Sequence, residues 1–263
     1  MSAAAGGDLA GRVVLVSGGT QGVGAAVVRA AVAAGARVAF TGRRADVGDA
    51  LAAELGAGGA DVRFLVADVA DPAQATASVE ATVAAFGRVD GLCNAAGLTT
   101  RGTLLDTTPE LFDEHIAVNL RAPFFTMAAA VRDMRGRGAP GAIVNIISMS
   151  AHGGQPYLAP YVAAKAGLIG LTRNTAHAHR FDRIRVNGLN IGWTETEGEA
   201  ITQKRFHAAT DDWAQEAGHG LPAGRLAQPS EAADAVVFLL SDRSGIVTGS
   251  VIDWDQHVPG AYD

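Results

Sequence analysis

Short apolar, β-branched runs alternate along this chain with longer alanine-rich segments. The short runs predict seven buried strands, at Arg12–Ser17, Arg37–Thr41, Val62–Val66, Val89–Cys93, Ala142–Ile147, Ile184–Leu189 and Ser250–Trp254. The longer segments predict helices, at Ala25–Ala34, through Leu51–Leu55, and at Pro72–Phe86, Pro109–Met134, Pro160–His179 and Ser230–Leu240. Because strands that are apolar throughout are buried on both faces, the alternation predicts an α/β fold. We expect a single Rossmann-like, doubly wound domain over residues 1–263, with a seven-stranded, mostly parallel sheet and helices on both faces.

One long segment breaks the alternation, between the sixth strand and the last helix. It covers about residues 193–224 and is polar and mixed in character. Ligands of such sheets bind at the carboxyl ends of the strands, and long inserts there are often active-site lids. We therefore expect a substrate lid at about 193–224, the alternative being a pair of surface helices without a role.

Composition narrows the class of protein. The net charge of −6 argues against a nucleic-acid binder, which needs a basic face. The single cysteine, Cys93, excludes an intrachain disulfide and a cysteine-cluster metal site. No apolar run is long enough to predict a membrane span, and the first residues do not have the pattern of a signal peptide. We expect a cytoplasmic protein with no nucleic-acid or membrane partner.

A glycine-rich turn, Ser17-Gly18-Gly19-Thr20-Gln21-Gly22-Val23-Gly24, lies between the first strand and the first helix. Glycines permit a tight turn and let backbone N–H groups approach a pyrophosphate, which then sits at the positive end of the helix. A Walker A loop is excluded because Ala25 stands where that motif needs lysine. The position of the turn favours a dinucleotide site over a purely structural turn.

Several motifs, in order along the chain, resemble the classical short-chain dehydrogenase/reductase family. They are the glycine turn with Ser17 for the usual threonine, Asp68, Asn94-Ala95-Ala96-Gly97, Asn119, Ser148, Tyr161-x₃-Lys165, Gly224-Arg225, Phe238-Leu239 and Thr248-Gly249. Two departures are visible: Ala95 replaces the second asparagine of Asn-Asn-Ala-Gly, and Ile191-Gly192 replaces Pro-Gly. Both positions act mainly through the backbone, so cofactor binding is expected to survive.

The resemblance implies an NAD(P)(H)-dependent oxidoreductase, a carbonyl reductase or alcohol dehydrogenase, and it assigns site residues. The catalytic residues are Asn119, Ser148, Tyr161 and Lys165. The cofactor-binding residues are Gly18, Thr20, Gln21, Gly22, Val23, Gly24, Arg43, Arg44, Asp68, Val69, Asn94, Ala95, Ala96, Gly97, Tyr161, Lys165, Gly192, Thr194 and Thr196. By the same resemblance, Asp68 would hold the adenine edge of the cofactor and Lys165 its ribose. Asn119 would support a water that leads from Lys165 to solvent.

The spacing of the catalytic residues suits proton transfer. Tyr161 and Lys165 are four apart at the start of a helix and share a face. A phenol is a poor base at neutral pH, and a neighbouring ammonium is expected to lower its pKa. Tyr161 then exchanges a proton with the substrate oxygen while hydride moves at the nicotinamide. Ser148 ends the fifth strand thirteen positions earlier, where it can hold that oxygen.

The end of the second strand bears on the choice of nicotinamide cofactor. An acid there would bind the ribose 2′-hydroxyl and repel a 2′-phosphate. The chain has Gly42 followed by Arg43 and Arg44, and guanidinium groups suit a phosphate. The sequence favours NADP(H); NAD(H) beside a solvated arginine pair is the alternative.

The predicted substrate pocket comprises Ser148, His152, Tyr157, Tyr161 and Trp193. The polar lid favours a polar substrate, such as a polyol, a sugar derivative or a keto compound. No metal is expected, since His177 and His179 point to different faces of their helix. An epimerase or dehydratase on the same fold is an alternative, although such relatives are usually longer. A non-catalytic nucleotide sensor is another, although it would be expected to lose Tyr161, Lys165 or Ser148.

The family resemblance also implies a homotetramer. The helices predicted at Pro109–Met134 and Pro160–His179 would pack against their counterparts, and the first has apolar residues on more than one side. The tail Trp254–Asp263 either folds over its own subunit or reaches across an interface to a neighbour's pocket.

Overall fold

The computed structural model describes residues 7–259, and its centre is one sheet of seven parallel strands. The strands are β1 Val13–Ser17, β2 Arg37–Gly42, β3 Val62–Val66, β4 Gly91–Asn94, β5 Gly141–Ser148, β6 Ile184–Ile191 and β7 Val251–Trp254. Their order across the sheet is β3-β2-β1-β4-β5-β6-β7. The predicted Rossmann-like, doubly wound α/β fold is confirmed, with every strand pair parallel.

Helices cover both faces of the sheet. They are α1 Gly22–Ala33, α2 Ala45–Ala57, α3 Pro72–Phe86, α4 Pro109–Ile116, α5 Ala122–Gly136, α6 Ala159–His179, α7 Glu197–His207, α8 Trp213–His219 and α9 Pro229–Leu240. On one face Val27 of α1 and Val236 of α9 share a buried cluster with Val14 of β1. On the other, Met127 of α5 packs in a second cluster with Leu15 of β1. Alternate residues of β1 therefore enter opposite halves of the core.

Helix α3 begins at Pro72, as the sequence predicts. The Asp71 side chain accepts a hydrogen bond from the Ala73 N–H at 2.8 Å, and Pro72 occupies the first helical turn. Gly87 ends the helix with a φ of 82°, a conformation that favours glycine.

The helix predicted at Pro109–Met134 is divided. A π-helical turn, Ala117–Arg121, separates α4 from α5, and Pro123 lies in the first turn of α5. Because Pro123 has no N–H to donate to the carbonyl four residues earlier, the α-helical ladder cannot continue through this point. The π-turn contains Asn119, and such turns are frequent at functional sites.

The segment between β6 and α9 contains α7 and α8. It follows the carboxyl end of β6, next to the ends of β5 and β7. We call residues 193–224 the lid segment. Within residues 7–259, no helix is both long and apolar enough to cross a membrane.

Candidate active site

A cavity of about 1000 Å³ opens at the carboxyl edge of the sheet. One end lies at the glycine turn after β1, and the other lies under α7. It gathers most of the residues that the sequence singled out: Gly18, Thr20, Gln21, Gly22, Val23, Gly24, Arg43, Arg44, Asp68, Val69, Ala95, Ala96, Gly97, Ser148, Tyr157, Tyr161, Lys165, Gly192, Trp193, Thr194 and Thr196.

Asn94, Asn119 and His152 are not among the lining residues. The Asn94 amide is buried and bonded on both sides, donating to Asn145 at 2.8 Å and accepting from Thr126 at 2.7 Å. It ties β4 to β5 and α5, which leaves only its backbone for a ligand. The loop after β5 carries the His152 ring to β7 instead of into the cavity. There its Nε2 lies 3.2 Å from Asp253 Oδ1.

The glycine turn fits a dinucleotide pyrophosphate. Gly18 has a φ of 82°, and a Cβ there would lie 2.5 Å from the Ala96 Cα. A Cβ at Gly24 would lie 1.9 Å from the Gly18 carbonyl oxygen. The first turn of α1 has no acidic residue, and Gln21 makes no side-chain cap. The backbone N–H groups in the first turn of α1 are therefore available to an anion.

Ser148 and Tyr161 both line the cavity, Ser148 at the end of β5 and Tyr161 in the first turn of α6. Burial raises the pKa of Tyr161 to about 12, although the neighbouring Ser148 hydroxyl opposes this rise. The expected lowering by a lysine is not found: Lys165, whose Nζ lies 5.7 Å from the centre of the tyrosine ring, is not among the groups that shift this pKa. Tyr161 is therefore neutral and carries its proton at neutral pH.

Lys165 is buried between α6 and β5. Its Nζ donates to the Ile146 carbonyl at 2.8 Å, and burial lowers the pKa of this lysine to about 8. It lines the same cavity as Tyr161. A lysine with this pKa changes charge readily near neutral pH, so it can relay a proton as well as hold a ligand.

Asn119 holds the loop that follows β4. Its Oδ1 accepts from the Leu98 N–H, and its Nδ2 donates to the Leu98 carbonyl, both at 3.0 Å. Its partner His115 is fully buried, and its ring centre lies 6.2 Å from that of Tyr161. The sequence analysis missed His115; the available signal was its position four residues before Asn119 in a predicted helix.

Arg101 was missed as well, because it lies four residues beyond the Asn94-Ala95-Ala96-Gly97 motif and belongs to no motif itself. It lines the cavity beneath α7, and its guanidinium lies 3.5 Å from Glu199 and 5.4 Å above the Tyr157 ring. Glu199 and His207 lie on α7, in the segment that the sequence analysis described only as polar and mixed in character. These contacts bring the lid segment onto the body of the protein.

The described part of the tail, up to residue 259, contacts its own chain. Gln256 accepts from the Ala223 N–H and donates to the Arg225 carbonyl, both at 2.7 Å. Asp255 and His257 line the cavity. Tyr262 and the other residues after 259 lie outside the described residues.

The comparisons with known proteins identify the family of this chain. A family model described as enoyl-(acyl carrier protein) reductase matches residues 18–256. A 3-alpha-(or 20-beta)-hydroxysteroid dehydrogenase of Mycobacterium bovis is 38% identical over 245 residues, 93% of this chain and 88% of the relative. A D-threitol dehydrogenase of Mycolicibacterium smegmatis is 34% identical over 254 residues, 97% of this chain and 94% of the relative. The crystal structure of a blue fluorescent protein from a metagenomic library in complex with NADPH has a TM-score of 0.84 at 32% identity, covering 95% of this chain and 98% of that one.

A parallel, doubly wound sheet with a glycine turn after its first strand is typical of dinucleotide-binding proteins. The chain belongs to the short-chain dehydrogenase/reductase family. It is an enzyme of that family acting on CH–OH groups of a small molecule, and the cofactor of the family is NAD(P).

Proposed function

We propose that this enzyme interconverts a polar secondary alcohol and the corresponding ketone with NADP(H), using Tyr161 as the acid and base. The observation that carries the proposal is that the buried hydroxyl residues Ser148 and Tyr161 line the wall of a cavity that also contains the glycine turn. A proton donor and a second hydroxyl at one point can both bind a single substrate oxygen.

Three residues of the cavity wall have separate roles in the proposed reaction. Ser148 holds the substrate oxygen, and Tyr161, neutral because of its burial, donates its proton when a ketone is reduced. Lys165, with a pKa of about 8, lies on the side of β5. It carries positive charge near neutral pH and returns a proton to Tyr161. In the oxidative direction the same groups take the proton back. When bound, the nicotinamide cofactor supplies or accepts the hydride.

The preference for NADP(H) is supported by the residues after β2. Arg43 and Arg44 are exposed and line the cavity, and Arg44 donates to Gln21 of the glycine turn at 2.5 Å. A Cβ at Gly42 would lie 2.3 Å from Thr20 Cγ2, so an acidic side chain cannot enter there unless Thr20 moves. The NADPH complex of the blue fluorescent protein agrees with this preference.

The polar substrate is supported by the lining of the cavity under α7, where Arg101, Glu199, Gln203 and His207 face the space beside Tyr161. The hydroxysteroid dehydrogenase relative is named for an extended apolar alcohol and the threitol dehydrogenase relative for a small polyol. The charged lining favours the second kind of substrate over the first.

The direct test follows the absorbance of the reduced nicotinamide with NADPH and NADH against a panel of polar and apolar ketones, and with the oxidised cofactors against alcohols. We expect turnover of polar substrates, faster with NADP(H). Turnover of none of the panel by protein that binds NADPH would overturn the proposal.

We also propose that the enzyme is a cytoplasmic homotetramer. Phe112 and Phe124 stay 43% and 50% exposed on α4 and α5, the helices expected to pack against their counterparts. A partner copy that covers these rings would remove apolar surface from water. We propose that the lid segment closes over the substrate, because α7 already meets the loop after β4 through Arg101 and Glu199.

A further inference from the structure

Arg101 and Glu199 form an ion pair whose side chains are only 11% and 15% exposed, yet both line the cavity. They come from different parts of the chain: Arg101 from the loop after β4, and Glu199 from the first turn of α7. We call these two residues the polar clamp. Charged groups this deeply buried are held by several partners, and their remaining hydrogen-bonding capacity decides what they can bind.

The Arg101 guanidinium is fixed in place but not saturated. Its Nε donates to His207 Nε2 at 3.0 Å, and Nη1 donates to the Thr99 carbonyl at 2.9 Å. Nη2 makes a longer contact of 3.5 Å with Glu199, and the guanidinium lies over the Tyr157 ring. Arginine has five N–H donors, so two of them have no partner among residues 7–259.

The Glu199 carboxylate is used on one side only. Its Oε1 accepts from Gln203 at 2.7 Å, from Trp193 at 3.1 Å and from Arg101. Its Oε2 accepts no hydrogen bond from any described residue. An open acceptor therefore stands beside open donors in one cavity wall.

We propose that the polar clamp is the specificity determinant of this enzyme and binds a hydroxyl group on the carbon next to the reacting carbon. The inference deepens the proposed function and rests on it. A hydroxyl both donates and accepts, so it satisfies Glu199 Oε2 and an Arg101 N–H at once. The substrate class is therefore a neutral vicinal diol or the matching hydroxyketone.

The charges of the polar clamp exclude other substrates. Because the two charges are opposite and adjacent, a substrate carboxylate would meet Glu199 and a substrate ammonium would meet Arg101. An apolar group would bury an unsatisfied carboxylate oxygen and unsatisfied N–H groups. Only a neutral polar group leaves the ion pair intact and satisfies the remaining atoms.

The clamp is close to the reacting position. Both of its charges act on the Tyr161 hydroxyl, Glu199 raising and Arg101 lowering the pKa of that phenol. Tyr157 packs against the clamp, with its ring under the Arg101 guanidinium and its centre 5.3 Å from that of the His207 ring. Because Arg101, Glu199 and Tyr161 line the same cavity, a substrate whose oxygen lies at Tyr161 can reach the clamp with a second hydroxyl.

The test compares 2,3-butanediol with 2-butanol, which differ by the neighbouring hydroxyl alone, as substrates with NADP⁺. We expect kcat/KM for the diol to exceed that for 2-butanol by about 100-fold or more, because a site built for a hydroxyl strongly rejects an analogue that lacks it. In Arg101→Met and in Glu199→Gln we expect this ratio to fall by at least about tenfold, mainly through the KM for the diol.

Lys204→Met serves as the matched control, since Lys204 lies on α7 but pairs with exposed Asp211; it should keep the ratio. Equal losses for both alcohols in the clamp variants would overturn the proposal, because the pair would then only support the lid segment. A wild-type enzyme that turns over both alcohols without preferring the diol would also overturn it, while the proposed function would stand. Turnover of neither alcohol, nor of the matching ketones, would overturn this proposal, and turnover of none of the wider panel would overturn the proposed function as well.

Discussion

The Asn119 amide donates to the Nδ1 of His115 at 3.3 Å, joining the end of α4 to the π-turn. The other ring nitrogen, Nε2, lies 2.9 Å from the Thr100 carbonyl, which can only accept, so Nε2 carries the proton. Burial lowers the pKa of His115, which keeps the ring neutral. This histidine therefore fixes both Asn119 and the residue before Arg101.

We expect His115→Leu to destabilise the protein by about 2 kcal/mol at pH 7, since the Thr100 carbonyl and the Asn119 amide lose a partner. Above the usual histidine pKa of 6.5 the wild-type ring is neutral in both states. As the pH falls below 6.5, His115 is protonated in the unfolded chain before it is protonated in the folded chain. The stability that the neutral His115 contributes is therefore lost. Urea unfolding from pH 5 to 7.5 should show that the difference in free energy of unfolding between the wild type and the variant becomes smaller at low pH. Exposed His177→Leu is the control, and an unchanged difference would contradict the assignment.

Tyr161→Phe should lower kcat by about 100-fold or more, because it removes the proton donor while keeping the ring. NADPH binding, followed by fluorescence titration, should stay within a few-fold of wild type. Tyr157→Phe removes a hydroxyl from the same cavity and should cost much less. A Tyr161→Phe enzyme with more than about a tenth of the wild-type rate is incompatible with Tyr161 as the acid.

Lys165→Met should change how stability depends on pH. Below about pH 8 the buried lysine is charged in both states; between pH 8 and 10.5 the folded chain has lost the proton and the unfolded chain has kept it. The free energy of unfolding of the wild type should therefore rise from pH 8 to 10, by up to about 1.4 kcal/mol per pH unit. Above pH 10 it should fall, because the raised pKa of Tyr161 makes the unfolded chain lose its proton first.

Lys165→Met should lack the rise from pH 8 to 10. Lys204→Met, which changes the chain's other lysine, should keep it. Both are measured by urea unfolding in matched buffers, and a rise that persists in Lys165→Met would assign it to another group.

The double change Arg43→Ala and Arg44→Ala should raise the KM for NADPH by about tenfold, equivalent to about 1.4 kcal/mol, and leave the KM for NADH nearly unchanged. This pair tests the ribose site better than a carboxylate at position 42, which would clash with Thr20. Arg63→Ala, on the surface of β3, is the control. Parallel losses with both cofactors would show that the arginines do not distinguish them.

Light scattering should give a mass about four times that of one 26.8 kDa chain. Phe124→Glu places a charge on an exposed apolar ring of α5 and should lower that mass. Phe181→Glu, at an 85% exposed ring after α6, should not. A wild-type mass near that of a single chain would refute the tetramer.

The sequence by itself determined that the chain forms a parallel sheet. It also determined how strands and helices follow one another along most of the chain, and the spacing of Tyr161 and Lys165. These features depend on local rules: apolar runs mark buried strands, and residues four apart share a helix face. The glycine turn was equally readable, because its glycines follow a strand directly. Only its role as the first turn of α1, three residues earlier than predicted, needed the structure.

The tertiary structure decided which side chains meet and how they titrate. Arg101 and Glu199 are 98 residues apart, and no local pattern predicts their contact. His152 was expected in the pocket, but its loop turns it to Asp253. The pKa of Tyr161 moves upward instead of downward because burial outweighs the lowering effects of Ser148 and Arg101. Periodicity reports which face of an element is buried, whereas desolvation and contacts between distant elements depend on how those faces pack in three dimensions.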